Sequence, residues 1–449
     1  MRRFASRLIF VTLLLLLVAF AGCSPSNPNT NTDAGADAPV STCAAPAGPG
    51  TQHKDAIAAD ETWKAADGPH IVTFDINVNA GATLTIEPCA EVRIQNGYSI
   101  VVEGNLVAEG TATSPIKIGA DDPSTPWGDL QVFAPGTMKL AYATVSDGGG
   151  QTVNAYGVIE ARGDQLQPAQ QVLKVDHVTV SNSASYGVSL RAGGAFTVDS
   201  QALTIAGSKK APMRILPRLA SNIPSGTYTG NADDAIVVET ESYGEVNYED
   251  VTFHDRGVPY RIGGDTTFGD LKVGPNHFTL TLEAGVKLAF KQNGVLGAVE
   301  GSSSTGVIVA NGTASQPVVF TSAAPAPAAG DWVGIQFGKV VDPGFKLDHV
   351  EIRYAGGASQ SSGHHCQPNP TVTGQQSLND DAALAIYHAP ASQYLTNSLI
   401  ADSAADGVDN AYTGTYFDFK PTNTFTNVAG CQVTYPLPTT GLCPNMGCP

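Results

Sequence analysis

Four aspartates near the end of the chain have the residue type and spacing of a cation site. Asp381 closes a polar segment, and Asp402, Asp406 and Asp409 follow it shortly. Carboxylate oxygens are the ligands that Ca²⁺ prefers in proteins. If the four residues lie on neighbouring turns of a repetitive fold, their side chains stack, and the pattern predicts a Ca²⁺ site. The competing interpretation is that they occupy turns and solvate the surface.

Two adjacent histidines and a cysteine, His364, His365 and Cys366, also supply metal-ligating atoms. No fourth ligand stands at zinc-finger spacing, and the surrounding insertion, 359–381, is rich in Gln, Ser, Gly and Pro. We therefore expect an exposed loop held by a disulfide. Such a loop over the aspartate-bearing strands would form a cleft for a cation or a glycan. The alternative is that it only covers the end of the fold.

The sequence segments that are expected to form the surrounding elements occur twice in the chain. TLTIEPCAEVRI begins at Thr83, and TLTLEAGVKLAF begins at Thr279. Further on, PWGDLQV around Trp127 is repeated as DWVGIQF around Trp332. A self-match of this kind indicates a duplicated architecture.

Within each copy, short segments alternate apolar and polar residues between Gly, Pro, Asn and Ser. This pattern predicts strands, and they are too closely spaced for crossover helices. The fold is therefore predicted to be all-β, as a sandwich, a barrel, a propeller or a solenoid of coiled strands. A phrase at Val178 recurs at Leu203, 25 residues later, which is about one coil of a solenoid.

The N-terminal residues 1–22 have the pattern of an export signal. Three arginines precede an apolar run at 8–20, and Ala21-Gly22-Cys23 follows. The last residues resemble the lipobox of bacterial lipoproteins, with Phe20 where Leu is usual. The resemblance implies cleavage before Cys23, acylation of that cysteine with fatty acids such as palmitate, and anchoring by several acyl chains. Ser24 then implies transport to the outer membrane. The alternative is an ordinary signal peptide with a chance cysteine.

The charge balance excludes some partners. The chain carries 24 basic and 41 acidic residues, a net charge of −17. A protein with this negative charge is expected to bind nucleic acid or an anionic membrane surface only weakly. One basic cluster is expected to balance local acids rather than to bind phosphate: Lys209, Lys210, Arg214 and Arg218.

The remaining cysteines form an even set, which in an exported chain predicts disulfides. They are Cys43, Cys89, Cys366, Cys431, Cys443 and Cys448. Cys89 stands where the second copy has a turn glycine, Gly285, which suggests a Cys43–Cys89 bond across the N-terminal end. Cys443 with Cys448, and Cys366 with Cys431, are the pairs considered at the other end, although six cysteines allow 15 pairings.

The repeated phrases, with HVTVSNSASYGVSL from His177, resemble right-handed parallel β-helix repeats of the pectate-lyase-like fold class. Within that class they are similar to secreted bacterial lipoproteins with tandem β-helix modules. The resemblance covers roughly Thr62 to Val428, with a seam at 231–250. It implies strands that turn through tight corners, inward Leu, Ile and Val, and glycine or asparagine at positive φ. The motifs are structural, so they imply no activity.

Catalytic members of this fold class imply two kinds of site. The lyases need acids around Ca²⁺ with an Arg or Lys base, and the polygalacturonase-type hydrolases need grouped Asp residues with a His. Arg162 and Arg191 follow equivalent strands, but the sequence shows no group of acids beside them. Arg353 and His388 stand near the second-copy aspartates. Neither set reproduces a catalytic motif.

The sequence is therefore interpreted as a signal peptide (1–22), a disordered tether (23–61), two β-helix modules (62–230 and 231–430) and a Cys- and Pro-rich tail (431–449). Whether the modules form one helix is left open. The predicted function is a non-catalytic outer-membrane lipoprotein, facing the periplasm or the cell surface, with a display, adhesion or glycan-binding role. Its expected partners are the membrane, through its lipid, and a glycan or cell-surface polymer. Cleavage of acidic polysaccharide is the alternative.

Overall fold

The computed structural model of the 449-residue chain describes residues 40–150, 156–239, 245–246, 249–265, 269–274, 277–298, 306–338, 343–359, 370, 380–443 and 448–449. Residues 41–449 form one compact unit. Cys23, His364, His365 and Cys366 lie outside the described residues. In the described part, no helix is both long and apolar enough to cross a membrane.

Short strands build the first part of the stack, because a turn residue interrupts the apolar alternation every few positions. They are β1 (Thr51–His53), β2 (Glu61–Trp63), β3 (His70–Val72), β4 (Ile76–Val78), β5 (Thr83–Ile86), β6 (Glu91–Ile94), β7 (Ile100–Val102), β8 (Asn105–Glu109), β9 (Ile116–Ala120), β10 (Leu130–Phe133), β11 (Thr137–Ala141), β12 (Ala143–Ser146), β13 (Ile159–Arg162), β14 (Gln170–Ser181), β15 (Val188–Arg191), β16 (Gly194–Phe196), β17 (Gln201–Ala206), β18 (Met213–Ile215) and β19 (Gly226–Thr227).

The second part has the same character. Its strands are β20 (Ile236–Val238), β21 (Glu245–Val246), β22 (Val251–Phe253), β23 (Tyr260–Ile262), β24 (Leu271–Val273), β25 (Thr279–Leu282), β26 (Lys287–Phe290), β27 (Val295–Ala298), β28 (Val307–Asn311), β29 (Val318–Ser322), β30 (Gly334–Phe337), β31 (Lys346–Asp348), β32 (Val350–Arg353), β33 (Ala382–Ile386), β34 (Leu395–Thr396), β35 (Leu399–Ser403), β36 (Asp406–Asp409) and β37 (Thr424–Val428). The helical segments described are 3₁₀ turns at Ala65–Asp67, Pro217–Asn222 and Lys420–Thr422.

Parallel pairing between successive coils arranges these strands in four sheets. One sheet, here called the common sheet, runs without a break from β4 through both copies to β37. The first-copy sheet contains two faces that are joined by the long strand β14. A six-stranded sheet (β21, β24, β27, β30, β33, β36) and a five-stranded sheet (β22, β25, β28, β31, β34) complete the second copy. The chain is a right-handed parallel β-helix, as its sequence predicts, and the two copies form one continuous stack.

The coil length and the inward positions follow the sequence pattern. Val178 pairs in register with Leu203, one coil later. Ile86 and Leu282, at matching places in the two copies, are 1% and 0% exposed. Each stacks in register on apolar residues of the coils before and after it. Burial against both neighbours is what makes a solenoid stable only as a stack.

Single residues in the left-handed region turn the chain at its corners. Tyr142, His177 and Ala202 have φ values of 44°, 52° and 52°, and they are aligned on three successive coils. The Tyr142 and His177 rings stack with their centroids 4.7 Å apart. The second-copy corner residues include Asp402, at φ 56°. Repeating one unusual backbone conformation at each coil lets flat faces meet at a sharp angle.

The second copy is rotated by one face about the stack axis. Strand β6, the EVRI of the first copy, belongs to the first-copy sheet, whereas its counterpart β26 belongs to the common sheet. Strand β10, after Trp127, lies in the common sheet, whereas β30, after Trp332, lies in the six-stranded sheet. At the seam the 3₁₀ turn Pro217–Asn222 lies beside β22, and Ser221 Oγ accepts the Thr252 amide at 3.0 Å.

The folded part begins before residue 62, which corrects the expected extent of the tether. Strand β1 pairs with β3, and Ile57 bridges to Val78. The Cys43–Cys89 disulfide (S–S 2.07 Å) holds the preceding segment against the coil. Cys89 has φ 66° and Gly285 has φ 86°, so the cysteine occupies the turn position that glycine occupies in the second copy.

The C-terminal tail is part of the stack rather than an appendage. Val433 bridges to Val408, and Leu437 bridges to Thr413. Cys431 is bonded to Cys448 (S–S 2.06 Å), which corrects both pairings considered from the sequence. Cys443 is disulfide-bonded as well. Short sequence separation favoured Cys443 with Cys448, but the tail folds back and brings Cys448 to the end of the last coil.

Candidate functional site

Duplication places two equivalent outer faces on the molecule. Gln131 and Gln336 each stand four residues after a repeated tryptophan and point away from the core on β10 and β30. In the first copy the outer row continues from Gln131 to Glu160 and Ser189. In the second copy it runs from Gly297 through Gln336 and Ala385 to Asp409. The position that follows the matching glutamine in each row is therefore Glu160 in the first copy and Ala385 in the second.

Small side chains leave a cleft on the second-copy face, of about 330 Å³. Polar groups converge on it from neighbouring coils. Its lining residues are Gly269, Asp270, Gln292, Asn293, Val295, Val333, Gln336, Ala358 and Ser359. An amide side chain offers both donors and acceptors, and the carboxylate of Asp270 adds acceptors. Such a set matches hydroxyl groups, which also donate and accept.

Next to Val333 of the cleft lining, the backbone requires glycine at position 334. Gly334 has φ 133°, and a Cβ there would lie 2.4 Å from the carbonyl oxygen of Ala382. A side chain would therefore collide with the backbone of the next strand. The first copy has Asp129 at the equivalent place, whose carboxylate accepts hydrogen bonds from Ser99 and Gln131.

A cluster of acids follows the cleft toward the C-terminal end. Asp381 Oδ1 accepts the amide of Ser359, a cleft residue, at 2.8 Å. Asp406 accepts the Cys431 amide at 2.6 Å, and Asp409 accepts the Thr434 hydroxyl at 2.8 Å. Burial, and then the charges of Asp406, Asp380 and Asp381, raise the pKa of Asp409 to about 7. Burial also raises the pKa of Asp406.

The structure brings three of the four predicted Ca²⁺ ligands together and separates the fourth. Asp402 is a corner residue, and it accepts a hydrogen bond from Asn427 of the next coil at 3.0 Å. Asp381, Asp406 and Asp409 each accept a backbone or hydroxyl hydrogen bond. Among the described residues, no group of three or more His, Cys, Asp or Glu side chains could hold a metal ion. Among the described residues, the expected four-aspartate site is therefore not formed.

The remaining catalytic candidates of the second copy do not converge on these acids. Arg353 lies on the common sheet and pairs with Glu351 (Nε to Oε2, 2.8 Å). His388 is exposed after the end of β33. The histidines and cysteine of the insertion, His364, His365 and Cys366, lie outside the described residues.

The first-copy face is filled by an ion-pair network. Glu160, 2% exposed, contacts Arg191 Nη1 at 3.2 Å and Arg162 Nε at 3.5 Å. Burial raises the pKa of Glu160, while Arg191 lowers it. Glu160 stands two residues before Arg162 and was not recognised from the sequence, where only a separate group of acids was considered. The structure places Glu160 beside both arginines and so corrects the expectation that no acid accompanies them.

Aromatic rings and further acids complete the network. The Tyr156 ring lies between the guanidinium groups of Arg191 and Arg214, 3.5 and 4.5 Å from its centroid. Arg214 pairs with Glu239, and Lys210 pairs with Asp265.

Arg218 donates to the backbone carbonyls of Gln165 and Gln167. The sequence predicted that all four basic residues of this cluster balance local acids. Lys210 and Arg214 do so by ion pairs, whereas Arg218 bonds to backbone carbonyl oxygens instead.

The cleft itself was outside the reach of the sequence reading. Its lining comes from strands β27 and β30 and from loop residues of several coils, which only the folded structure brings together. The repeat offered one signal, since Gln131 and Gln336 match while the neighbouring Glu160 is replaced by Ala385.

Comparison with known families agrees with the architecture. Residues 246–340 match the family model described as a pectate-lyase like beta helix domain. This segment includes the cleft residues from Gly269 to Gln336. No curated protein and no solved structure gives a significant match to the chain.

Proposed function

We propose that this pectate-lyase-like β-helix is a non-catalytic, lipid-anchored protein of the outer cell envelope that binds a glycan. The observation that carries the proposal is the second-copy cleft, to which Gln292, Asn293, Gln336, Asp270 and Ser359 contribute polar groups. Function in a solenoid usually lies where a face or loop departs from the repeat. Here the departure is a widened face at the base of the insertion.

Several features favour a saccharide as the ligand. The polar groups of the cleft are mostly uncharged amides and a hydroxyl, which suit sugar hydroxyls better than a free phosphate. Asp270 is partly engaged by Lys272 at 3.7 Å, so the cleft carries little uncompensated charge. The lining residues come from neighbouring coils, so a polymer held in the cleft can contact more than one coil.

The cleft proposal predicts that one amide substitution weakens glycan binding. Gln336→Ala removes a central donor and acceptor pair, and we expect roughly a tenfold or greater loss of affinity, the scale of one to two hydrogen bonds. Affinity electrophoresis of the purified protein in gels containing polygalacturonate, or a neutral β-glucan, measures the change. Gln201→Ala is the matched control, because Gln201 is an exposed amide on the first-copy sheet.

If the glycan in the gel retards Gln336→Ala and the parent equally, the cleft is not the glycan-binding site. The same preparation also tests the catalytic alternative, which Asp409 favours because a buried carboxyl with a pKa near 7 suits acid–base chemistry. Lyase activity on polygalacturonate creates unsaturated uronates that absorb ultraviolet light, and hydrolysis creates reducing ends. Either product, abolished by Asp409→Asn, would replace binding by catalysis.

The lipid anchor is tested at Cys23, which ends the run Leu8–Phe20, Ala21, Gly22. Cys23→Ser removes the only sulfur that a lipobox would acylate, so labelling with radioactive fatty acid should be lost. The protein would then remain as uncleaved precursor or be released from the membrane fraction. Cys43→Ser, which keeps Cys23, serves as the control. Undiminished labelling of Cys23→Ser would show that the segment is not a lipobox.

A further inference from the structure

A second cavity, of about 500 Å³, lies at the N-terminal end of the stack. It is lined by the segment Ala47–Thr51, by His53, by Glu61–Trp63, by Ala66–Gly68 and by His70. It is remote from the cleft in the fold, because it belongs to the first coil. Its histidines and its glutamate are not used by the proposed function.

A chain of hydrogen bonds fixes the protons of both histidines. His70 Nε2 lies 2.9 Å from the carbonyl oxygen of Lys64, which can only accept. His70 Nε2 therefore carries a proton, and in the neutral ring Nδ1 is an acceptor. His53 Nε2 lies 3.0 Å from His70 Nδ1 and must donate to it. The neutral His53 ring thus presents a bare Nδ1.

That bare nitrogen faces another acceptor. His53 Nδ1 is 3.6 Å from Glu61 Oε1, too far for a hydrogen bond. The other histidine–carboxylate contacts of the described residues are shorter, for example His177–Asp176 at 2.7 Å and His254–Glu283 at 2.8 Å. At 3.6 Å, the unprotonated ring nitrogen and the carboxylate oxygen are far enough apart for a cation to bridge them.

The surroundings hold both atoms in place. The Trp63 indole donates to Glu61 Oε1 at 2.7 Å, and the Trp63 and His53 rings stack at 4.1 Å. His70 stacks on the other part of Trp63 at 5.3 Å. Metal-binding histidines commonly donate their second ring nitrogen to a neighbour, and metal-binding carboxylates are themselves hydrogen-bonded. Both conditions are met here.

The spacing also fits a first-row divalent ion. An ion about 2.1 Å from each atom would see them at an angle of roughly 120°, which is near tetrahedral. The hydrogen bonds of His53 and His70 already leave His53 Nδ1 without a proton in the neutral ring. Imidazole and carboxylate together favour Zn²⁺ or Cu²⁺ over the oxygen-seeking Ca²⁺ and Mg²⁺.

We infer that His53 Nδ1 and Glu61 form a two-residue site for a divalent transition-metal ion, such as Zn²⁺, at the N-terminal end of the β-helix. No third His, Cys, Asp or Glu of the described residues joins them. The ion therefore keeps positions open for water or for a donor from another molecule. Binding here joins β1, which carries His53, to β2, which carries Glu61, and so stabilises the end of the stack.

Calorimetric titration with Zn²⁺ tests the inference on the purified protein carrying His364→Ala and His365→Ala, which removes the other histidine pair. One Zn²⁺ per chain is expected, and Mg²⁺ should give no heat. Glu61→Gln keeps an acceptor for the Trp63 indole and should weaken Zn²⁺ roughly tenfold or more, as should His53→Ala. His177→Ala, which alters an exposed histidine–aspartate contact, should bind as the parent does.

Thermal unfolding in the presence of Zn²⁺ gives a second readout, since an ion that binds only the folded state raises the melting temperature. The rise should be absent in Glu61→Gln. If His53→Ala fails to fold, Glu61→Gln decides the question, because it is nearly isosteric. No Zn²⁺ binding by the parent, or equal affinity in Glu61→Gln, would overturn the inference.

Discussion

A single aspartate at an inward position, Ile86→Asp or Leu282→Asp, is expected to cost more than about 4 kcal/mol of folding free energy. Both side chains are buried by the coils above and below, Ile86 by Trp63 and Ala108. A carboxylate there loses its hydration and finds no partner. Thermal unfolding followed by circular dichroism should show a large fall in melting temperature or no cooperative transition.

The matched controls are the outward neighbours, Thr85→Asp and Thr281→Asp, which add the same charge to the same strands. They should change stability by less than about 1 kcal/mol. If the inward variants melt with the controls, the assignment of the two faces of these strands is wrong.

Loss of the Cys43–Cys89 bond is expected to destabilise the protein by about 4 kcal/mol, and loss of Cys431–Cys448 by about 3 kcal/mol, on the chain-entropy estimate. The difference follows from the sequence separations of 46 and 17 residues. Cys43→Ala with Cys89→Gly is the suitable variant, since glycine accepts the φ of 66° at position 89, as Gly285 does in the second copy. Guanidinium unfolding of each variant measures the loss.

Hydrogen exchange should place the first effect in β1 to β5, because coils of a solenoid depend mainly on their neighbours. Cys431→Ala with Cys448→Ala is the comparison at the other end. A smaller loss at the N-terminal end than at the C-terminal end would contradict the estimate from loop length.

Much of the fold could be predicted from residues alone, because each coil repeats the same local conditions. The alternation in TLTI and VRI fixes which side chains point inward, and the 25-residue spacing of Val178 and Leu203 gives the coil length. The turn role of Cys89 could be predicted from its match to Gly285. These features depend on near neighbours in sequence or on a self-match.

The candidate site could be predicted only in part. The sequence shows where the insertion lies and which acids are near it, but not how their side chains are arranged in space. Asp402 and Asp406 are close in sequence, yet Asp402 accepts a hydrogen bond from Asn427 whereas Asp406 accepts the amide of Cys431. The cleft is lined by residues of several coils, and the sequence alone does not show which of them meet. The tail pairing Cys431–Cys448 depends on a fold-back that no local pattern encodes.

The one-face rotation between the copies limits how a polymer can use this molecule. The face after Trp127 and the face after Trp332 are equivalent by duplication, yet they lie on different sheets. A straight polymer that lies along one of these two faces does not contact the other face. In chelate binding, a first contact raises the effective concentration of a second site on the same polymer. The two faces therefore cannot bind one polymer in this way. A polymer bound in the second-copy cleft would therefore gain no second contact on the equivalent first-copy face, which the ion pairs of Glu160 occupy.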